Sequence, residues 1–431
     1  MRLATITSLL ALTVSCGDAP TTCDDACAGP VDAAAPPPDA VPLADGVDHA
    51  LLWQGFDHEW LREVVGFRVP HRVSLLDSYL DEITATDAGG WRVDGTYHAG
   101  QSTGVDGNYM RPRVAFAAVT APGLWAHAGD THLTWTDRLV DVDVDGAPYP
   151  RASSTFDQEV VLGVPPGGRY ALALRGVALD MACRDEAQPP ETPCNSNGMW
   201  PYRMAIDVRD CDPGDGADGV LRCRVHVEIA RAWTPNHGGL PGVEEKPLNA
   251  ALDYDLRVLW TALGGAVADV GLARAPIFER TQAGHEDAPV TTTTTITGAP
   301  GFTGAVAALD HVAFTLAPPD SSNPEMNHLG RYLGQLAFNT TLTSHDAATG
   351  AVELTPSARV WLPDTVVDAE ISHEVGTLVL WHRGQSAQGD ATTSLCVNSS
   401  DQAPDFSAWE ECDQLETGPE RTRSVTSVSL P

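Results

Sequence analysis

Residues 222–233 read Arg-Cys-Arg-Val-His-Val-Glu-Ile-Ala-Arg-Ala-Trp. Cys223, Val225, Val227 and Ile229 alternate there with Arg222, Arg224, His226 and Glu228. A period of two places one set on the buried face of a strand and the other in water. The period recurs at 253–260, where Tyr254, Leu256, Val258 and Trp260 alternate with Asp253, Asp255 and Arg257. At 367–375, Val367, Ala369, Ile371 and Val375 oppose Asp368, Glu370, Ser372 and Glu374. Shorter runs of the same kind lie at 113–119, 131–137, 138–145, 159–164, 170–178, 304–316, 332–343 and 358–362. Turns such as Pro165-Pro166-Gly167-Gly168 separate them. Many short strands punctuated this way predict a mainly β protein of antiparallel, sandwich-like sheets. The threonine run 291–295, leading into Ile296, predicts an edge strand. Trp135, Trp260 and Trp381 fall on apolar strand faces and are expected in the core.

One stretch reads differently. Phe56, Trp60 and Val64 are four apart, and Val73, Leu76, Leu80 and Ile83 repeat at three and four. Ser74 and Asp77 have capping-box spacing. These features predict two short helices between Asp57 and Ile83. The chain has 431 residues, a length that predicts two domains. The boundary is expected near 271–288, giving a first sandwich-like domain at 49–275, with the helices at its start, and a second β-rich domain at 276–431. The loop 235–248 is the competing boundary, but it reads as a long connection within the first domain.

The start of the chain carries a separate signal. After Met1-Arg2, residues 3–14 are uncharged and mostly Leu, Ala, Ile, Val and Thr. That is too short for a membrane span, which needs ~20 residues, and fits a signal-peptide core. Ser15 and Cys16 follow. Residues 1–16 resemble the signal segment of bacterial lipoproteins. Thr13 stands where that class usually has a large aliphatic residue, with Leu12 one further out, so ordinary cleavage after Ser15 is the competing reading. The resemblance implies a signal peptide at 1–15, a multiply acylated Cys16, and an exported protein tied to the envelope by its lipid. Residues 16–48, rich in Ala, Pro and Asp, lack the apolar content to fold and are expected to form a disordered tether.

The formal net charge is −32, which argues against nucleic acid or anionic lipid as partners. Of nine cysteines, eight remain after Cys16. Their spacing suggests local disulfides Cys23–Cys27, Cys183–Cys194, Cys211–Cys223 and Cys396–Cys412 in an oxidising compartment. Zinc is disfavoured, because no CysXXCys occurs and no cysteine pair with zinc spacing lies beside histidines. Asp210, just before Cys211, and Asp212, Asp215 and Asp218, inside the Cys211–Cys223 interval, lie among glycines in an oxygen-rich loop suited to calcium. Asp141, Asp143 and Asp145 begin like an EF-hand loop, but Ala152 holds its twelfth place, and a strand and hairpin turn is the better reading.

The densest mixture of chemical groups is 98–113, HAGQSTGVDGNYMRPR. His98, Gln101, Asp106, Asn108, Tyr109 and Arg111 are its candidate ligand-binding residues, with glycines that permit close approach. Gly100 to Gly104 matches Gly-x-Ser-x-Gly around Ser102, but no helical period follows, as that motif requires. His58 and Glu59, side by side in an expected helix, would diverge and make a poor acid–base pair. HExxH and phosphate-loop signatures are absent from the sequence. The expectation is an exported, lipid-anchored protein displaying β-rich domains that are structural or bind a protein or glycan. A tethered hydrolase-like enzyme with a pocket around 98–113 is the alternative.

Overall fold

The structure, a computed structural model, describes residues 41–62, 72–85, 91–98, 108–139, 151–185, 201–211, 216–232, 250–283, 289–298, 300–316, 335–361, 370–392, 395–397 and 422–428. Every regular element in them is a strand. In chain order these are β1 (His49–Arg62), β2 (Arg72–Ala85), β3 (Trp91–His98), β4 (Asn108–Thr120), β5 (Trp125–Leu139), β6 (Arg151–Gly163) and β7 (Gly168–Asp185). There follow β8 (Pro201–Cys211), β9 (Val220–Ala232), β10 (Ala250–Ala266), β11 (Val270–Arg274), β12 (Phe278–Ala283), β13 (Val290–Thr291) and β14 (Thr294–Thr297). The last are β15 (Gly304–Leu316), β16 (Gln335–Asp346), β17 (Ala351–Trp361), β18 (Glu370–His382), β19 (Gln385–Thr392), β20 (Leu395–Val397) and β21 (Thr422–Val428).

These strands pair antiparallel into three sheets. A seven-stranded sheet runs β11-β18-β15-β8-β9-β6, with β12 beside β18. A six-stranded sheet runs β21-β3-β2-β7-β10-β5. An eight-stranded sheet runs β13-β17-β16-β1-β4-β19, with β14 on β17 and β20 on β4. Residues 41–431 form one compact unit. Strands from both sides of the boundary expected at 275/276 pair directly: β1 with β16, and β8 with β15.

The alternating faces follow the sequence pattern. Cys223, Val225, Val227 and Ile229 are buried while Arg224 is exposed. Tyr254, Leu256, Val258 and Trp260 join the same core. That core is lined by all three sheets, through Leu51 and Phe338 of the eight-stranded, Leu172 and Leu256 of the six-stranded, and Ile206 and Val312 of the seven-stranded one. Trp381 is buried in a smaller cluster beneath β17, and Trp135 packs at the main core's edge. The threonine run forms β13 and β14 at the edge of the eight-stranded sheet.

Strands β1 and β2 occupy the described part of the stretch expected to hold two helices; the rest, 63–71, lies outside the described residues. The reason is parity. Apolar residues four apart satisfy a strand as well as a helix, because four is even. The odd spacings fall where β2 changes register, between Ser74 and Leu76 against β7 and between Leu80 and Glu82 against β3. A bulge adds a residue and so reverses parity, letting an odd interval return to the same face.

Two poles result. Short turns at 121–124, 164–167, 266–269 and 383–384 gather at one pole, which we call the turn pole, and residues 41–48 join the body there. Leu43 bridges Gly163, and Val47 bridges Ala126. Connections of nine residues or more, at 63–71, 99–107, 140–150, 186–200, 233–249, 317–334 and 398–421, leave and rejoin strands at the opposite pole. There Arg62 lies across from Tyr109, Ala250 from Leu139 and Asp185, and Pro201 from Arg231.

Phe338 tilts against Phe56, which stacks on Trp53 with ring centroids 4.9 Å apart; all three are fully buried. Phe338→Ala should cost about 3–5 kcal/mol. Because β1 and β16 share one core, urea unfolding followed by tryptophan fluorescence and by circular dichroism should show one transition, shifted equally in both signals.

Candidate functional site

The run 304–316 reads GAVAALDHVAFTL, an apolar strand with Asp310 and His311 in its middle. Pairing with β18 shifts register between Leu309 and His311, so Asp310 is the extra residue of a bulge. Gly376 lies opposite. A Cβ there would come within 2.5 Å of Asp310 Oδ1 and 2.6 Å of His311 Cβ, so glycine makes the room that the bulge needs. Pairing of β15 with β8 spans only His311 to Thr315. Before the bulge the strand leaves β8, and Gln54 of β1 donates its side-chain amide to the Ala307 carbonyl at 3.3 Å.

Asp310 is fully buried. Its Oδ2 lies 3.4 Å from Arg209 Nε and 3.3 Å from Arg274 Nε. These are ion pairs rather than hydrogen bonds, and neither carboxylate oxygen accepts a hydrogen bond among the described residues. Burial pushes the Asp310 carboxyl up to about 6, against the pull of the two guanidinium groups. The arginines are braced reciprocally. Arg209 donates to the Ala275 carbonyl at 2.6 Å, and Arg274 reaches the Val208 carbonyl at 3.5 Å.

His311 points to the sheet's other face. Its Nδ1 donates to Asp207 Oδ2 at 2.7 Å and its Nε2 to Glu374 Oε2 at 3.1 Å. Burial alone would favour the neutral ring, but the two carboxylate bonds outweigh it and raise His311 to about 9. Asp207 is also penalised by burial. Bonds from His311 and from the Arg209 amide more than offset this and hold it below the usual carboxylate range. Glu374 is lowered, first by its bond to His311. Three cations thus face three carboxylates. The polar row continues laterally: Asp207 pairs in register with His226, and His226 Nδ1 bonds Asp157 at 2.9 Å. One row over, Arg203 pairs with Glu228 at 2.8 Å.

This chemistry holds charge rather than moves protons. A general base needs a free nitrogen and a pKa near the working pH. His311 has both nitrogens engaged by carboxylates and stays an imidazolium at neutral pH. The buried His373, on the core face of the neighbouring strand, is the reverse case. Burial drives it down to about 4, against the pull of its bond to the Arg280 carbonyl at 3.4 Å.

The described ligand-binding candidates fall on two different sheets. His98 ends β3 in the six-stranded sheet, and Asn108 begins β4 in the eight-stranded one, so 99–107 links two sheets. Asn108 and Tyr109 lie in register with Val397 and Cys396, and Arg111 with Glu59. Gln101, Ser102 and Asp106 lie outside the described residues. His58 and Glu59, expected on a helix, sit on strand β1. Of the calcium candidates, Asp210 pairs with Arg224 at 3.4 Å, and Asp218 accepts the Val220 amide and pairs with Arg222 at 3.6 Å. Asp212 and Asp215 lie outside the described residues, and no metal-holding group occurs among those described. The Cys211–Cys223 disulfide is present and closes that turn. Cys16, Cys23, Cys27, Cys194 and Cys412 lie outside the described residues, so the other pairings and the anchor are not seen. No protein-family model, curated protein or solved structure matches this chain.

A raised histidine pKa stabilises the fold fully below the unfolded value near 6.5, and that stability is lost as pH rises through about 9. The His311 contribution, up to about 3 kcal/mol, should therefore fade between pH 6.5 and 9. His311→Gln should flatten that slope in urea titrations across the window. An imidazole proton resonance still titrating near 6.5 in the native protein would contradict the geometry.

Proposed function

We propose that this chain is an exported, lipid-anchored envelope protein whose β body presents one pole to a protein or glycan partner. The observation that carries the reading is the segregation of connections. Residues 41–48 join the body at the turn pole, and every connection of nine residues or more leaves from the other. Long loops on a rigid β scaffold are the usual carriers of recognition. The stretch with the richest chemistry, 98–113, runs from the last residue of β3 through the connection 99–107 into β4, whose start pairs with the end of β1.

Export rests on the uncharged run 3–14 followed by Ser15-Cys16. The Cys211–Cys223 bridge supports it, because structural disulfides persist in oxidising compartments. The acidic character points the partner away from nucleic acid. A display role also agrees with the charge cluster on β8, β15 and β18, whose histidine has no nitrogen left for catalysis.

Mass spectrometry of the mature N-terminus should find acylated Cys16. Cys16→Ala should move the protein from the detergent-rich to the aqueous phase on phase separation. For the presenting pole, replacing 317–334 with a short Gly-Ser linker should abolish binding on an array of envelope glycans and proteins. The melting temperature should change little. An unmodified terminus, or binding indifferent to the replacement, would overturn the corresponding half of the reading.

A further inference from the structure

The buried acid and the disulfide share a cation. Arg274 ends the edge strand β11, which among the described strands pairs only with β18. Its guanidinium is used at both ends. Nε faces Asp310 Oδ2 at 3.3 Å, while Nη2 donates to Cys211 Sγ at 3.4 Å and reaches the Val208 carbonyl at 3.5 Å. Cys211 and Cys223 lie in register across β8 and β9 and are bonded to each other. They differ in access: Cys223 belongs to the core, whereas Cys211 is half-buried. A line of contacts therefore runs from the more open cysteine, through one guanidinium, to a carboxylate sealed in the interior.

We infer that the Cys211–Cys223 bridge is a redox switch whose state sets the charge of Asp310. The chemistry is a two-electron exchange with a dithiol. A thiolate of the dithiol attacks the Cys211 sulfur, the Cys211–Cys223 bond breaks, and Cys223 leaves and takes up a proton. The second thiolate of the dithiol then attacks its partner sulfur in the mixed disulfide and expels Cys211 as a thiolate. The protein gains two electrons and the dithiol loses two. Of the dithiol's two protons, one ends on Cys223 and the other on Asp310.

Cys211 stays ionised because Arg274 already donates to its sulfur, and a cation beside a thiol favours the thiolate. The new anion competes with Asp310 for Arg274. Burial has already pushed the Asp310 carboxyl up to about 6, so weakening one of its two guanidinium partners carries it to the neutral acid at pH 7. Nothing else facing Asp310 makes up the loss. Arg209 of β8 is the one close cation left, Asp207 of β8 is an anion, and β18 presents Gly376. His311 is held by Asp207 and Glu374. Beside Cys211, Asp210 is paired with Arg224 of β9. With Asp310 neutral, the tie between β8 and β11 loses its anion and the edge strand loosens. The coupling is reciprocal, so the charge of Asp310 in turn favours the closed bridge. The inference needs only that a dithiol meets the chain, and it is independent of the lipid anchor and the presenting pole.

The test uses the full chain, oxidised and then reduced with dithiothreitol under native conditions. Alkylation read by mass spectrometry follows Cys211 by itself, whatever the other cysteines do. The midpoint of its alkylation against pH should lie about one pH unit lower than in Arg274→Gln. Infrared difference spectra at pH 7, reduced minus oxidised, should gain the carbonyl band of a protonated carboxyl. That band should shift with isotope-labelled aspartate and be missing from Asp310→Asn. Amide exchange at 270–274 should quicken on reduction. A bridge that dithiothreitol does not open in the folded chain, equal midpoints, a difference spectrum without the band, or unchanged exchange at 270–274 would each overturn the switch. Should either variant fail to fold, the isotope-labelled wild type decides alone.

Discussion

The buried Asp310 carboxylate, held between Arg209 and Arg274, is the constraint around which the seven-stranded sheet is arranged. Taking one carboxylate out of water costs several kcal/mol after relaxation, and here no hydrogen bond among the described residues offsets it. Two guanidinium groups must therefore be kept in place, and they come from different strands, β8 and β11. Each is fixed by a bond to the backbone next to the other: Arg209 to Ala275, Arg274 to Val208. The acid thus ties together strands that do not pair with each other. It sits at the bulge where β15 stops pairing with β8, so the electrostatic knot and the change of neighbours coincide. Gly376 completes the arrangement by being absent in side chain.

The same dipeptide links the sheet's two environments. Asp310 is shut inside, while His311 meets Asp207 and Glu374 on the polar face. Past the bulge the outer row carries Asp157, His226, Asp207 and His311 side by side. Before it, both faces of β15 and β18 are covered: Val306, Ala308, Leu378 and Leu380 by one apolar cluster, Ala305, Ala307, Val379 and Trp381 by another. A strand buried on both sides needs its backbone satisfied locally. Gln54 does part of this for Ala307, and the Thr340–Thr377 hydroxyl pair, 2.8 Å apart, joins β16 to β18 in the same region.

Much of this architecture is legible in the sequence. Alternation identifies β9, β10 and the start of β18 because one face of each meets water there, and contrast between faces is what a period of two reports. It fails for β1 and β2, where even spacing suits two structures and bulges hide the odd one. It also says nothing of sheet partnership. Phe56 and Phe338 pair in register across nearly three hundred positions, and no local pattern encodes that, so the boundary drawn at 275/276 follows composition alone. The Asp310-His311 cluster does leave a trace: a charged dipeptide in the middle of an apolar strand is costly unless partnered. Its partners, on β8, β11 and β18, are legible only from the fold. Cys211 and Cys223 are legible because they are close in sequence as well as in space.

The arrangement of charge bears on what such a body can bind. Its described arginines are largely committed to local pairs: Arg113 with Asp390, Arg203 with Glu228, Arg222 with Asp218, Arg224 with Asp210, Arg257 with Asp130. Exposed pairs of this kind contribute little stability each, about 0–1 kcal/mol, but each removes a cation from the surface field. With 58 acidic residues against 26 basic ones, the uncompensated remainder is acidic. A surface of that kind repels polyanions at long range and at low salt, whichever pole they approach. Attraction must then come from short-range groups, namely hydrogen bonds and aromatic or aliphatic contacts, or from a partner that brings its own cations.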